Sequence, residues 1–63
     1  MEAEKEFTTA VQLDPHSGVL YYNLGLAREA KGDKNGAAEA FRTAAEFEPK
    51  NPMIVRKIKE LSK

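Results

Sequence analysis

Apolar residues recur three or four positions apart in four segments of the chain, which is the spacing of an amphipathic α-helix. The first segment, residues 2–13, carries its apolar stripe at Ala3, Phe7, Ala10 and Leu13. The second segment carries it at Leu20, Tyr21, Leu24, Ala27 and Ala30. The stripe of the third segment is Ala37, Ala38, Phe41, Ala44, Ala45 and Phe47. The fourth segment begins at about Pro52 and carries Ile54, Val55, Ile58 and Leu61. The pattern predicts an all-α chain of four helices.

Residues that end or cap helices stand between these segments. Pro15 and Pro49 each follow an acidic residue. The residue before a proline is disfavoured in the α region, so the first and third helices are predicted to end there. Gly32 is suited to end the second helix, because glycine adopts the left-handed conformation at little cost. The expected N-caps are Ser17 for the second helix and Asp33 or Asn35 for the third.

The chain repeats itself with a period of 34 residues. A shift of that length superimposes small, aromatic and proline residues on identical ones: Ala3 on Ala37, Phe7 on Phe41, Ala10 on Ala44 and Pro15 on Pro49. Farther along, the same shift places Leu20 on Ile54, Tyr21 on Val55 and Leu24 on Ile58. These are the positions that packing constrains, so the period indicates a repeated structural unit of two helices.

One set of residues has the spacing of a known repeat signature: Tyr21, Leu24, Gly25, Ala37, Phe41, Ala44 and Pro49. With this spacing the chain resembles the tetratricopeptide repeat family. The resemblance implies antiparallel helix-turn-helix repeats, here a solenoid fragment of four helices and about two repeats. In physical terms, Gly25 and Ala37 allow two helices to approach closely, and Phe41 and Tyr21 fill the space between them. Arg28, where the family often has an aromatic residue, and Gly36, in the first turn of the third helix, are expected to soften the packing.

The resemblance also divides the chain into units. Residues 1–15 are expected to be the second helix of an incomplete repeat, and residues 16–51 one complete repeat. Residues 52–63 are expected to be the first helix of a further repeat or a capping helix. Both end helices then have an apolar stripe that lacks part of its partner.

The unpaired end helices and the charge distribution suggest self-association. A domain of 63 residues without cysteine has a small core and no disulfide to support it. Residues 1–14 hold four acids and one lysine, for a net charge of −3, and residues 51–63 hold four bases and one acid, for +3. A homo-oligomer is therefore possible, as a helix-swapped dimer or a head-to-tail chain. The contacts expected to form it are Phe7, Ala10, Ile54, Ile58 and Leu61.

The resemblance implies a non-catalytic scaffold that binds a protein or peptide partner. In such arrays the first helix of each unit usually lines the concave groove. The groove residues expected here are Tyr22, Asn23, Leu26, Met53, Arg56 and Lys57, flanked by Val19, Glu29 and Glu60. An aromatic ring, an amide, a thioether and two cations suit an extended or helical peptide with some acidic character. Asn23 and Lys57 also match part of a clamp for a terminal carboxylate, although Met53 stands where that clamp has lysine.

Other functions have little support in the sequence. Asp14, His16 and Ser17 are adjacent, but catalytic groups are recognised by a shared geometry, and a helix stop and cap explains these residues. One histidine and scattered carboxylates are poor material for a metal site, and no cofactor is expected. The charge of zero and the lack of interleaved aromatics argue against nucleic acid, and no apolar run is long enough to span a membrane. A cytoplasmic location is expected.

Overall fold

The computed structural model describes residues 2–61, which form four α-helices joined by short turns. The helices are α1 (Glu2–Leu13), α2 (Gly18–Ala30), α3 (Lys34–Phe47) and α4 (Pro52–Leu61). The α2–α3 hairpin forms the most extensive packing, with α1 against α2 and α4 against α3. The all-α prediction is confirmed, and the helix boundaries agree with the predicted ones as far as Leu61, where the described part of the chain ends.

The predicted caps account for the boundaries of α2 and α3. Ser17 Oγ accepts a hydrogen bond of 3.3 Å from the backbone N–H of Leu20. Of the two expected caps for α3, Asp33 is the one used, with its carboxylate accepting from Gly36 N at 2.9 Å. Gly32 has φ of +92°, the left-handed conformation that glycine adopts without steric cost. A Cβ at Gly36 would overlap the Asp33 carboxylate, so the glycine that was expected to weaken α3 also makes room for its cap.

Phe41 lies at the centre of the hairpin, fully buried at 0% exposure. Its ring reaches this position because Gly25 has no side chain: a Cβ added there would lie 2.5 Å from Cε1 of the ring. Ala37 and Ala44 flank Phe41 along α3 and are also buried, at 1% and 0% exposure. The predicted close approach of α2 and α3 over Gly25 and Ala37 is confirmed.

The predicted stripes are wrong at some positions on α1, α2 and α3, where Leu13, Ala30 and Phe47 are exposed. Leu13 is 83% exposed, whereas Val11, which the stripe omitted, is 7% exposed and forms a buried cluster with Leu24 and Ala40. In the described chain α1 packs mainly on α2 and touches α3 at Ala40, so its buried side turns towards Leu24 and Ala40. Ala30 is exposed at the last position of α2. The side chain of Ala3 lies outside the part of the chain that the structure describes.

Arg28 was expected to soften the packing, but it connects three helices through polar contacts. Its Nε lies 3.2 Å from Glu4 Oε2 on α1, and its Nη1 donates to the backbone oxygen of Gly36 on α3 at 3.1 Å. Lys31 also pairs with Glu4. The hydrogen bond from Lys31, followed by that from Arg28, lowers the pKa of Glu4 below its ordinary value. An arginine in place of the usual aromatic residue thus contributes directed polar contacts in place of ring packing.

Candidate interaction surface

Six residues expected to contact a partner lie on two helices, α2 and α4. We call the set the α2/α4 surface: Tyr22, Asn23 and Leu26 from α2, with Met53, Arg56 and Lys57 from α4. Leu26 and Met53 are exposed large apolar side chains, at 37% and 53%, and the neighbouring Val19 is 42% exposed. Arg56 is also exposed, while Tyr22, Asn23 and Lys57 are half-buried.

Lys57 joins the two helices and is therefore not a free cation. Its Nζ lies 2.9 Å from Glu29 Oε1 on α2 and 3.6 Å from Glu60 Oε2 on its own helix. The same Nζ lies 5.4 Å from the centroid of the Phe41 ring, within the range of a cation–π contact. The hydrogen bond to Glu29 is the main cause that raises the pKa of Lys57 above its ordinary value. Lys57 was expected to attract a partner, but its contacts within the chain give it a role in holding α4 beside α2.

Arg56 has no acidic partner among residues 2–61, which leaves its guanidinium available to a ligand. Glu29 and Glu60 beside Lys57 offset the charges of Lys57 and Arg56, so these four residues carry no net charge. The α2/α4 surface is consequently a mainly apolar strip with one available guanidinium. The sequence-based expectation of two cooperating cations overstated its basic character.

Tyr22 is fixed in place by the core beneath it. Its ring centroid lies 5.6 Å from that of Phe41, with the two planes inclined at 51°. Because the ring already packs on a fully buried neighbour, little conformational freedom remains to be lost when a ligand contacts it. Tyr22 is therefore a pre-organised contact, unlike the long and exposed Met53.

Two clefts adjoin these helices. One, of about 400 Å³, lies at the end of the α2/α4 surface, between Glu29, Lys34, Ala37, Glu60 and Leu61. The other, of about 260 Å³, lies between α1, α2 and α3 and is mostly apolar, with Val11, Tyr21, Leu24 and Ala40 in its lining beside the polar residues Thr8, Gln12, Glu39 and Thr43. The sequence analysis missed this second cleft, because its polar wall residues look like ordinary solvent-facing positions.

The residues expected to mediate self-association are not all available. Ile54 is 0% exposed, so in the folded chain it belongs to the core and is not on a face open to a second copy. Phe7, Ala10 and Ile58 are half-buried, and Leu61 is 41% exposed. Part of the charge expected to attract another molecule is already used, since Glu4 and Lys57 are paired within the chain.

The adjacent polar residues Asp14, His16 and Ser17 have structural surroundings. Asp14 and His16 are exposed, Ser17 caps α2, and the His16 ring lies edge-on to Phe47 with centroids 5.4 Å apart. Within residues 2–61, no three histidine or acidic side chains are grouped so as to hold a metal ion. None of the four described helices is both long enough and apolar enough to cross a membrane.

Comparison with known families agrees with this architecture. The family model described as Tetratricopeptide repeat matches residues 19–51, just over half of the 63-residue chain. No solved structure matches the chain. Repeats of this family are in general non-catalytic modules that bind proteins or peptides. The matched repeat agrees with the four helices and with the close packing of α2 on α3 at Gly25. The chain belongs to the tetratricopeptide repeat family.

Proposed function

We propose that this chain is a non-catalytic scaffold that binds a peptide or protein partner through the α2/α4 surface. The observation that carries the proposal is the exposure of Val19, Leu26 and Met53 beside Arg56, whose guanidinium has no acidic partner within residues 2–61. A stripe of exposed apolar side chains with one available charge is a recurring feature of protein recognition sites. Within residues 2–61, the exposed large apolar residues outside this group are Leu13 on α1, Phe47 on α3 and Leu61 at the end of α4.

The chemistry of the surface defines the partner it fits. Full burial of each exposed leucine or methionine side chain contributes about 1.5–3 kcal/mol, so apolar side chains on the ligand provide most of the affinity. Arg56 can donate two parallel hydrogen bonds to a carboxylate of the ligand, which fixes the orientation of the ligand. We infer an extended or helical peptide with two apolar anchors and one acidic residue.

The division of the chain into units supports this interpretation. We propose that residues 16–51 are one complete repeat and that residues 1–15 are the second helix of another. Residues 52–63 are then the first helix of a further repeat or a cap. In this division α2 and α4 are both first helices, the type that lines the binding groove in this family.

The test uses two matched charge reversals. Peptides are selected from a random library on the wild-type chain, and their affinities are measured for Arg56→Glu and for Arg42→Glu. Both arginines are exposed, but Arg42 lies on α3, outside the α2/α4 surface. Arg56→Glu is expected to weaken binding by about tenfold or more, the size of a lost charge-assisted hydrogen bond. Arg42→Glu is expected to leave it unchanged, and the reverse result would contradict the proposal.

Self-association remains the alternative prediction, as a helix-swapped dimer or a head-to-tail oligomer. The exposure of Leu13 and Leu61 at opposite ends of the chain favours it, while the burial of Ile54 and the internal pairing of Glu4 and Lys57 weaken it. Sedimentation equilibrium at low and high salt distinguishes the two accounts. A salt-sensitive series of oligomers would support self-association, and a 7.0 kDa species at every concentration would exclude it.

A further inference from the structure

We propose that Glu48 is a positioning residue for the α2/α4 surface, and that with Asn51 it sets where Met53 of α4 lies relative to Val19 of α2. Val19 and Met53 are each second in their helix, and their side chains are 42% and 53% exposed. Two apolar side chains of one ligand bind together only where the spacing of their contacts matches. The inference therefore rests on the proposed function and names a determinant of its specificity.

A chain of three hydrogen bonds joins the backbones of these two residues. The N–H of Val19 donates to Glu48 Oε2 at 3.0 Å. Asn51 Nδ2 donates to Glu48 Oε1 at 3.1 Å, and Asn51 Oδ1 accepts from the N–H of Met53 at 3.0 Å. We call this chain the Glu48–Asn51 relay. Through it, one carboxylate at the end of α3 connects the N-terminus of α2 to that of α4.

The chemistry of the two side chains fixes the direction of the relay. Both of its ends are backbone N–H groups, which only donate, so each needs an oxygen opposite it. The Asn51 oxygen faces Met53, and its NH2 group therefore faces Glu48. The Glu48 carboxylate accepts from both sides, which an amide at that position could not do. Its negative charge also lies at the first turn of α2, where the helix dipole favours it.

Gly18 provides the space that the carboxylate occupies. A Cβ at this position would lie 2.7 Å from Glu48 Oε2 and 2.9 Å from the backbone oxygen of Ala44. The beginning of α2 is thus in close contact with the end of α3, with no room for a side chain between them. The carboxylate is held in a narrow gap, which makes it a firm support for Asn51.

The relay and the Lys57–Glu29 ion pair connect α4 to α2 at separate points. Glu29 lies near the end of α2, whereas Val19 lies near its beginning. The main packing of α4 is on α3. A helix that is linked to α2 at one point can still turn about that point, and such a turn would move Met53 relative to Val19. The second connection removes this freedom, so the relay controls the spacing of the two exposed side chains.

An exchange of the two side chains separates positioning from capping and from charge. Asn51→Asp keeps an oxygen for Met53, and Glu48→Gln keeps one for Val19, so both helix N-termini retain their acceptors. Each change breaks only the central link, because two carboxylates face each other in the first variant and two NH2 groups in the second. The double variant restores the link in the reverse direction and has the net charge of the wild type.

The first test needs no ligand. Residual dipolar couplings of the backbone amides measure the orientation of α4 relative to α2 in the ¹⁵N-labelled chain. Each single variant is expected to change this orientation, and the double variant to return it to that of the wild type, while the orientation of α3 relative to α2 stays the same throughout. Couplings that are unchanged in both single variants would overturn the proposal, as would a double variant that departs further than either single one.

The second test measures affinity for the peptide that was selected on the wild-type chain. Each single variant is expected to weaken binding about threefold or more, and the double variant to restore it to within about twofold. Charge alone would give the single variants opposite effects, since Asn51→Asp adds a negative charge and Glu48→Gln removes one. Opposite effects, or losses that add in the double variant, would overturn the proposal. A failure of the proposed function is seen separately, through Arg56→Glu, because the dipolar couplings do not depend on the peptide.

Discussion

Phe41 is the residue on which contacts from three directions converge. Gly25 faces its ring from α2, Tyr22 packs on it at the edge of the α2/α4 surface, and Lys57 lies above it from α4. A single side chain therefore connects the core of the hairpin to both helices of the proposed binding surface. Loss of this ring would remove core packing and the support of Tyr22 together.

We expect Phe41→Ala to destabilise the fold by about 3–5 kcal/mol, the usual cost of removing a fully buried phenylalanine. That is comparable with the whole stability of a domain of this length, about 3–9 kcal/mol at typical values per residue. Urea denaturation followed by circular dichroism measures the effect. Phe47→Ala is the control, since Phe47 is 39% exposed and should cost much less. Equal losses for the two variants would contradict the assigned core.

The attachment of α1 to the hairpin depends on a small polar network. Glu4 on α1 receives hydrogen bonds from Arg28 and Lys31, and Arg28 also donates to the Gly36 carbonyl at the start of α3. Apolar contacts at Phe7 and Val11 accompany it. The network thus helps to fix the position of α1 on the hairpin.

Acidification should loosen α1 before the hairpin. The pKa of Glu4 is lowered in the folded chain from its ordinary value of 4.5, so its contribution is complete above pH 4.5 and is lost as the pH falls through the lowered value. Amide hydrogen exchange compared between α1 and α3 is the measurement. Glu4→Gln should speed exchange in α1 already at neutral pH and remove the acid dependence. Glu6→Gln, at an exposed position of the same helix, is the control and should change neither.

Local signals and tertiary contacts differ in how well the sequence predicts them. Helix ends at Ser17 and Gly32 depend on neighbours within four residues, and they were predicted correctly. The choice between Leu13 and Val11 as the buried residue depends on which helices flank α1, which periodicity alone does not give. The role of Lys57 was missed for the same reason, because Glu29 is 28 residues away in the sequence and becomes its partner only when α4 packs beside α2.

At the scale of the whole molecule, the α2–α3 hairpin is the centre and the two end helices define its surfaces. Helix α4 packs on α3 and is joined to α2 by the Lys57–Glu29 ion pair, which forms the α2/α4 surface and covers one side of Phe41. The placement of α1 against α2 covers Phe7 on one side only and leaves Leu13 exposed. The proposed α2/α4 surface is thus formed where an end helix packs against the central hairpin.

The most direct test of the central claim is to map where a bound peptide contacts the chain. A peptide selected on the wild-type chain is titrated into ¹⁵N-labelled protein, and amide chemical shifts are followed residue by residue. The account predicts that the largest changes occur at Tyr22, Asn23 and Leu26 on α2 and at Met53 and Arg56 on α4. Changes confined instead to the cleft between α1 and α3, at Thr8, Gln12 and Thr43, would contradict it.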